Sequence, residues 1–231
     1  MNTQHNRPHK PSYEKITLET LNKENHERVE RVGEELRDGF DLIKKYEKSV
    51  TVFGSARTLE SESDYIVCRS LTKKIVEELP DYAVTTGGSL GIMEAANRGA
   101  FEGKGKSLGL NIKLPNEQNS NKYLTEEVDF DYFFTRKVCL TFSAEAYIYF
   151  PGGFGTLDEL FEILTLIQTG KIEKRPVILV GKDYWNNLDI FIKESLLITE
   201  KINEEDTELY TITDNEDEII ELIRNAPIRF S

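Results

Sequence analysis

An α/β domain built on a doubly wound, mostly parallel sheet and preceded by an N-terminal helical extension is the fold class this sequence predicts. Three observations predict it. From Lys48 onward, short apolar runs alternate with helical stretches, and such alternation implies parallel strands joined by right-handed crossovers with helices on both faces of the sheet. Three of the apolar runs lead into turns rich in glycine and other small residues. Before Lys48, Val29, Val32, Leu36, Phe40 and Ile43 recur at spacings of three and four within a heavily charged segment, which is the helical period.

The elements follow in chain order. Residues 1–47 are expected to form a polar tail and an amphipathic helix over residues 22–45. Its apolar stripe must be buried, either on the main domain or against a second copy of the chain. Residues 48–231 are expected to form the main domain. Short apolar runs predict strands over residues 49–53, 82–86, 107–114, 147–150 and 176–180, since four to eight such residues between turn signals suit a buried parallel strand. Longer segments predict helices over residues 63–79, 91–102, 133–142, 156–169, 185–197 and 216–225, with a polar connection over residues 115–121. Leu157, Leu160, Phe161, Leu164 and Ile167 recur at helical spacing and mark core or dimer packing.

Composition bounds the function. A chain of 231 residues suits one large domain. No apolar run approaches the length needed to cross a bilayer, and the segment from Met1 to Lys15 is polar, without a secretory signal. A cytoplasmic protein that does not engage the membrane is therefore expected. Cys68 and Cys139 are the two cysteines, too few for a disulfide framework or a four-cysteine zinc site, and they read as reduced core residues. The three histidines, His5, His9 and His26, all lie near the start. Their absence elsewhere excludes histidine-dependent triads and histidine-bearing metal sites from the main domain and leaves carboxylates, Arg, Lys, Tyr and backbone amides for any chemistry. The formal charge of −12 opposes a general affinity for nucleic acid. A small anion remains compatible, held locally by helix N-termini and one or two basic side chains.

In doubly wound sheets, ligands bind beyond the carboxyl ends of the strands near the point where strand order reverses. Three loops fit that place: Gly54-Ser55-Ala56-Arg57, Gly87-Gly88-Ser89-Leu90-Gly91 and Pro151-Gly152-Gly153-Phe154-Gly155-Thr156. Glycine lets backbone amides approach a ligand, and each following helix offers unpaired N–H groups at its positive end. Any one loop by itself reads as a tight turn; three at one sheet edge reverse that reading in favour of a phosphate cradle. Two familiar fingerprints do not fit. No GxGxxG follows the first strand, and Gly105-Lys106-Ser107 resembles the end of a Walker motif only in part, because Ala100 stands where its first glycine is required.

The stretch from Pro151 to Glu159, PGGFGTLDE, resembles the PGGxGTxxE signature of the Lonely guy family of cytokinin riboside 5′-monophosphate phosphoribohydrolases. GGSLGIMEAANRGA, from Gly87 to Ala100, resembles that family's second glycine motif, and Thr135-Arg136-Lys137 resembles the segment bearing its catalytic arginine. The likeness runs from about Val50 to Tyr184 and includes LPNEQNSNKY, from Leu114 to Tyr123, similar to the longer-chain branch. It implies a modified Rossmann fold, a dimer or larger homo-oligomer, no metal or organic cofactor, and release of a free base and ribose 5-phosphate from a nucleoside 5′-monophosphate. By the same resemblance Arg136 and Glu159 are expected to be catalytic. Gly54, Ser55, Gly87, Gly88, Gly91, Lys137, Gly152, Gly153, Gly155, Thr156 and Glu162 are expected to contact the substrate. Ser89-Leu90 and Tyr132-Phe133-Phe134-Thr135 depart from the short plant-like pattern, which leaves the identity of the base open.

Cleaving an N-glycosidic bond builds positive charge on the sugar, so a carboxylate beside the anomeric carbon stabilises that charge and can orient or deprotonate water. By analogy with glycosidases Glu159 suits this role, and Arg136 can offer a planar fork to phosphate or ribose hydroxyls. Each residue has a plainer reading. Thr156-x-x-Glu159 is also a helix capping box, a lone arginine near a helix start is usually a surface charge, and Glu162 is as well explained by a salt bridge. Tyr132, Phe133 and Phe134 are either core or a platform for the base. Related glycine-rich chains act as molybdenum cofactor carriers, so a non-catalytic carrier is the alternative function. A pyridoxal phosphate lysine decarboxylase fits poorly, since nothing around Lys104, Lys106 or Lys137 suggests a Schiff-base site. A third reading makes the helix over residues 22–45 an assembly arm, which is compatible with catalysis.

Overall fold

The computed structural model describes residues 18–113 and 120–229. Most of the polar start, the expected end of the third strand at Leu114 and most of the connection that follows it lie outside them. A seven-stranded sheet with order β4-β3-β2-β1-β5-β6-β7 forms the centre, and every neighbouring pair runs parallel. The strands are β1 Lys48–Phe53, β2 Tyr82–Thr86, β3 Lys106–Ile112, β4 Glu126–Phe130, β5 Ala146–Tyr149, β6 Val177–Leu179 and β7 Thr211–Ile212. The helices are α1 Leu18–Ile43, α2 Ser63–Glu78, α3 Ile92–Glu102, α4 Phe133–Thr141, α5 Phe154–Gln168, α6 Lys182–Phe191 and α7 Glu216–Arg224. Strand order reverses between β1 and β5, so the loops following these two strands open side by side at one sheet edge.

Alternation along the strands divides the interior in two. Val50, Val52, Val84, Ala146, Ile148 and Ile178 face one side and pack with residues of α2, α3 and α7. Phe53, Leu110, Tyr147, Tyr149, Val177 and Leu179 face the other and pack with residues of α1, α4, α5 and α6, including the fully buried Trp185. Both faces are covered, which is why these strands read as unbroken apolar runs. In α5, Leu160, Ile163, Leu164 and Ile167 are buried, each contributing roughly 1.5–3 kcal/mol of transfer free energy.

The stripe of α1 is buried only in its second half. Leu42 and Ile43 join the core beside Phe130, Cys139 and Leu140, whereas residues 22–31 are exposed and Val29 keeps 69% of its surface. Gly39 permits the close approach: a Cβ there would lie 2.4 Å from Cys139 Sγ and 2.9 Å from Phe130 Cζ.

Two strands escape sequence reading. In β4, EEVDF, acidic residues occupy the open positions of an edge strand, so charge masks its alternation; β7 has only two residues. Helix α6 begins at Lys182, three residues before the expected start, because Gly181 adopts φ +104° and Asp214 accepts from the Gly181 and Lys182 amides. Beyond Phe191 that helix continues as a π-helical stretch, Ile192–Leu197.

Both thiols, Cys68 and Cys139, are free and buried. Among the described residues no helix is long and apolar enough to cross a membrane. At the edge opposite the glycine turns, fully buried Glu145 accepts from Ser49 N at 2.6 Å and from Arg229 Nε at 2.6 Å. Removing Glu145 takes the buried carboxylate acceptor away from both Ser49 N and Arg229 Nε. Glu145→Ala is therefore expected to lower the unfolding free energy by about 3–5 kcal/mol, measured by urea denaturation with an unchanged m-value.

Candidate functional site

The three glycine turns meet at the carboxyl edge of β1, β2 and β5. Ser55 N donates to Pro151 O at 3.0 Å, and Ser55 O accepts from Ile92 N at 3.0 Å, so one residue ties the first turn to the other two. Gly91 adopts φ +66°, and a Cβ there would lie 2.3 Å from Ser55 O; glycine is required both for the conformation and for the contact. Gly54 lies against Ile92 in the same way, with a Cβ position 2.6 Å from its Cγ2. Gly54, Ser55 and Gly91 thus shape the floor.

The second turn is braced from behind. Gly88 N donates to Thr86 Oγ1, and Gly88 O accepts from Asn121 N at 2.9 Å. The Asn121 carboxamide donates further to Ser89 O and to Asn97 Oδ1. Asn121 is nearly buried, and sequence reasoning passed over it as part of a polar connection; the only signal was its place at the end of LPNEQNSNKY.

The third turn is the open one. Helix α5 begins at Phe154 with Gly153 as N-cap and no side-chain cap. The first hydrogen bond at its start runs from Leu157 N to Gly153 O, which leaves the amides of the first turn free of intrahelical partners. A Cβ on Gly153 or Gly155 would meet nothing within 4 Å. Gly152, by contrast, packs on Thr156, whose buried hydroxyl would lie 2.1 Å from a Cβ, and Gly152 O accepts from Tyr184 OH at 2.6 Å. The capping box between Thr156 and Glu159 does not form: Thr156 sits inside the helix, so Glu159 is released from that structural duty.

Arg136 is not a surface charge. It is 8% exposed, its Nε donates to Leu110 O at 2.7 Å, and Nη2 lies only 1.9 Å from where a Cβ on Gly87 would stand. Among the described residues its terminal nitrogens have no hydrogen-bond partner, which leaves them for a ligand. Burial lowers its pKa while the Glu159 carboxylate opposes the shift. Glu159 is half-buried one and a half turns into α5, and its backbone oxygen accepts from Tyr149 OH at 3.2 Å. Burial raises its carboxyl to about 7, against the pull of Arg136 and Lys137. Arg136 and Glu159, more than twenty residues apart in sequence, thus share one electrostatic environment beside the second and third turns.

Lys137 and Glu162 are joined to each other. Lys137 Nζ contacts Asp158 at 2.7 Å and Glu162 at 3.1 Å. Burial depresses the lysine pKa, but the hydrogen bonds to both carboxylates outweigh it and the net shift is upward. Phe133 and Phe134 keep about half their surface and Phe154, at the first position of α5, keeps 94%. These rings are not core. No group of three or more His, Cys, Asp or Glu among the described residues is placed to hold a metal ion.

A family model described as possible lysine decarboxylase matches residues 93–223. A probable cytokinin riboside 5′-monophosphate phosphoribohydrolase of Oryza sativa subsp. japonica is 30% identical over 209 residues, covering 87% of this chain and 85% of the relative. An Arabidopsis thaliana cytokinin riboside 5′-monophosphate phosphoribohydrolase is 32% identical over 152 residues, covering 64% and 69%. Among solved structures, a structural genomics target matches with TM-score 0.58 at 23% identity, over 77% of this chain and 98% of that one. A molybdenum cofactor binding protein from Rippkaea orientalis matches with TM-score 0.56 at 23% identity, over 76% and 93%. These last two likenesses concern the fold.

Proposed function

We propose, from the premise that this chain belongs to the family described as possible lysine decarboxylase, that of the Lonely guy phosphoribohydrolases, that it hydrolyses the N-glycosidic bond of a nucleoside 5′-monophosphate. The products are a free base and ribose 5-phosphate. One observation carries the reading: the Glu159 carboxyl and the unpaired end of Arg136 act on each other beside a glycine turn whose helix amides are open.

The chemistry follows from the arrangement. The phosphate takes the first-turn amides of α5, at Gly153, Phe154, Gly155 and Thr156, where the helix dipole favours an anion. Arg136 holds the phosphate or ribose hydroxyls with its terminal nitrogens, which fixes the sugar in front of Glu159. As the bond from C1′ to the base nitrogen breaks, its electron pair leaves with the base, which takes up a proton. The Glu159 carboxylate stabilises the positive sugar and accepts a proton from the water whose oxygen bonds to C1′. Lys137 and Glu162, paired with each other, set the charge behind the site. The protonated, doubly paired Lys137 is poorly suited to form a Schiff base, which weighs against amino acid decarboxylation. The exposed Phe133, Phe134 and Phe154 suit contact with the base or with a second copy of the chain, in a cytoplasmic homo-oligomer.

Incubation with a panel of nucleoside 5′-monophosphates, including cytokinin riboside monophosphates, tests the reading by detecting free base and ribose 5-phosphate in equal amounts. Retention of intact nucleotide without turnover of any member would leave a carrier instead. Because Glu159 works as the carboxylate and its pKa is raised to about 7, kcat/KM is expected to rise with pH through about 7, whereas an unshifted glutamate would give its rise near pH 4.5.

A further inference from the structure

Helix α4 carries Arg136 in its first turns, yet its own N-cap residue, Tyr132, provides no side-chain hydrogen bond. The missing acceptor comes from α1, about one hundred residues earlier in the chain. Glu35 is 7% exposed. Its carboxylate accepts from Asp131 N at 2.8 Å, from Tyr132 N at 3.4 Å and from Thr135 Oγ1, the residue next to Arg136. A buried charge is costly unless every lone pair is used, and here the donors all belong to the turn that starts α4. Four residues on, Gly39 lets α1 close on Cys139 in the last turn of α4. An exposed ion pair between Arg31 and Asp131, at 2.7 Å, completes the seam.

We infer that Glu35 is a positioning residue for Arg136: as the surrogate cap of α4, it fixes the height at which that helix presents the guanidinium to Gly87 and Glu159. The N-terminal helix is then a structural part of the reaction centre. Residues 22–31 of that helix are exposed. The inference rests on the catalytic reading of Arg136, but its consequence is electrostatic and is readable without substrate. Arg136 and Lys137 from α4 lower the Glu159 pKa, while Asp158 and Glu162 on α5 raise it. If α4 slips, the arginine contribution weakens.

The test uses the full-length protein with carbon-13-labelled glutamate, the Glu159 carboxyl signal being assigned by its loss in Glu159→Gln. Glu35→Ala is expected to raise the Glu159 titration midpoint by about one unit and, in the nucleotide hydrolysis assay, to lower kcat more than it raises KM. Glu35→Gln keeps an acceptor for Asp131 N and is expected to restore most of the midpoint. Arg31→Ala, which removes only the exposed pair, should leave it in place. Thr135→Val deletes one donor and gives a smaller shift in the same direction, a readout that survives if Glu35→Ala does not fold. A folded Glu35→Ala or Thr135→Val protein with the wild-type midpoint overturns the inference. Absence of any nucleotide hydrolysis by the wild-type protein overturns the proposed function instead and leaves the titration result standing.

Discussion

Glu159→Gln is expected to lower kcat by about 10²–10⁴-fold while nucleotide affinity changes little. The amide matches the carboxyl in size and keeps the side chain among the same neighbours, but it can neither take a proton from water nor answer the positive charge on the sugar. Because Glu159 is far enough into α5 to leave the first-turn amides untouched, the phosphate cradle survives the change. Single-turnover measurement with a cleavable nucleotide, beside a binding isotherm for the same compound, separates the two effects. A variant with kcat within threefold of wild type would remove Glu159 from the chemistry. The substitution also removes the group to which the acidic rise near pH 7 is assigned, so residual activity should be flat through that region.

Arg136→Ala is expected to reduce kcat/KM by about 10²–10³-fold, with a loss of affinity that Glu159→Gln does not cause. Two contributions vanish together: the fork that orients the sugar phosphate, and the cation that holds the Glu159 carboxyl down. The sign of the second is fixed. Without the cation the carboxyl titrates higher, so the acidic limb moves to higher pH in any residual activity. Arg136→Lys should recover little, because a compact ammonium supplies neither the planar fork nor the Nε bond to Leu110 O. Gly87→Ala provides an independent check, since its Cβ would stand 1.9 Å from Nη2 and must displace the guanidinium. An Arg136→Ala enzyme with unchanged kcat/KM, assayed by release of ribose 5-phosphate, would leave the guanidinium without a role.

The plainer readings of the site separate on particular residues. The capping box at Thr156 was a sound inference from spacing, yet it failed because the chain enters α5 two residues earlier, where two glycines make the turn. The surface reading of Arg136 failed because α4 packs on β3 and β4, so that the guanidinium is buried and its Nε donates to Leu110 O, which spacing within a nine-residue helix does not reveal. Lys137 and Glu162 were legible as charges but not as partners: they come from different helices, α4 and α5, and meet only in the folded chain. The bracing by Asn121 and the cap from Glu35 left no local pattern, since each acts on a segment more than thirty residues away.

What the amino-acid order determined by itself is the parallel α/β architecture and the three glycine turns, because apolar periodicity and the demand for missing side chains are local properties of a chain. The PGGFGTLDE stretch belongs with these, since a contiguous motif needs no fold to be recognised. Only the tertiary structure decided which glycine turn stays open to a ligand, which charges are spent on one another, and how α1 supports the helix bearing Arg136. Those outcomes depend on burial and on distances between elements remote in sequence, and electrostatic effects of that kind exist only once the folded chain has excluded water from between them.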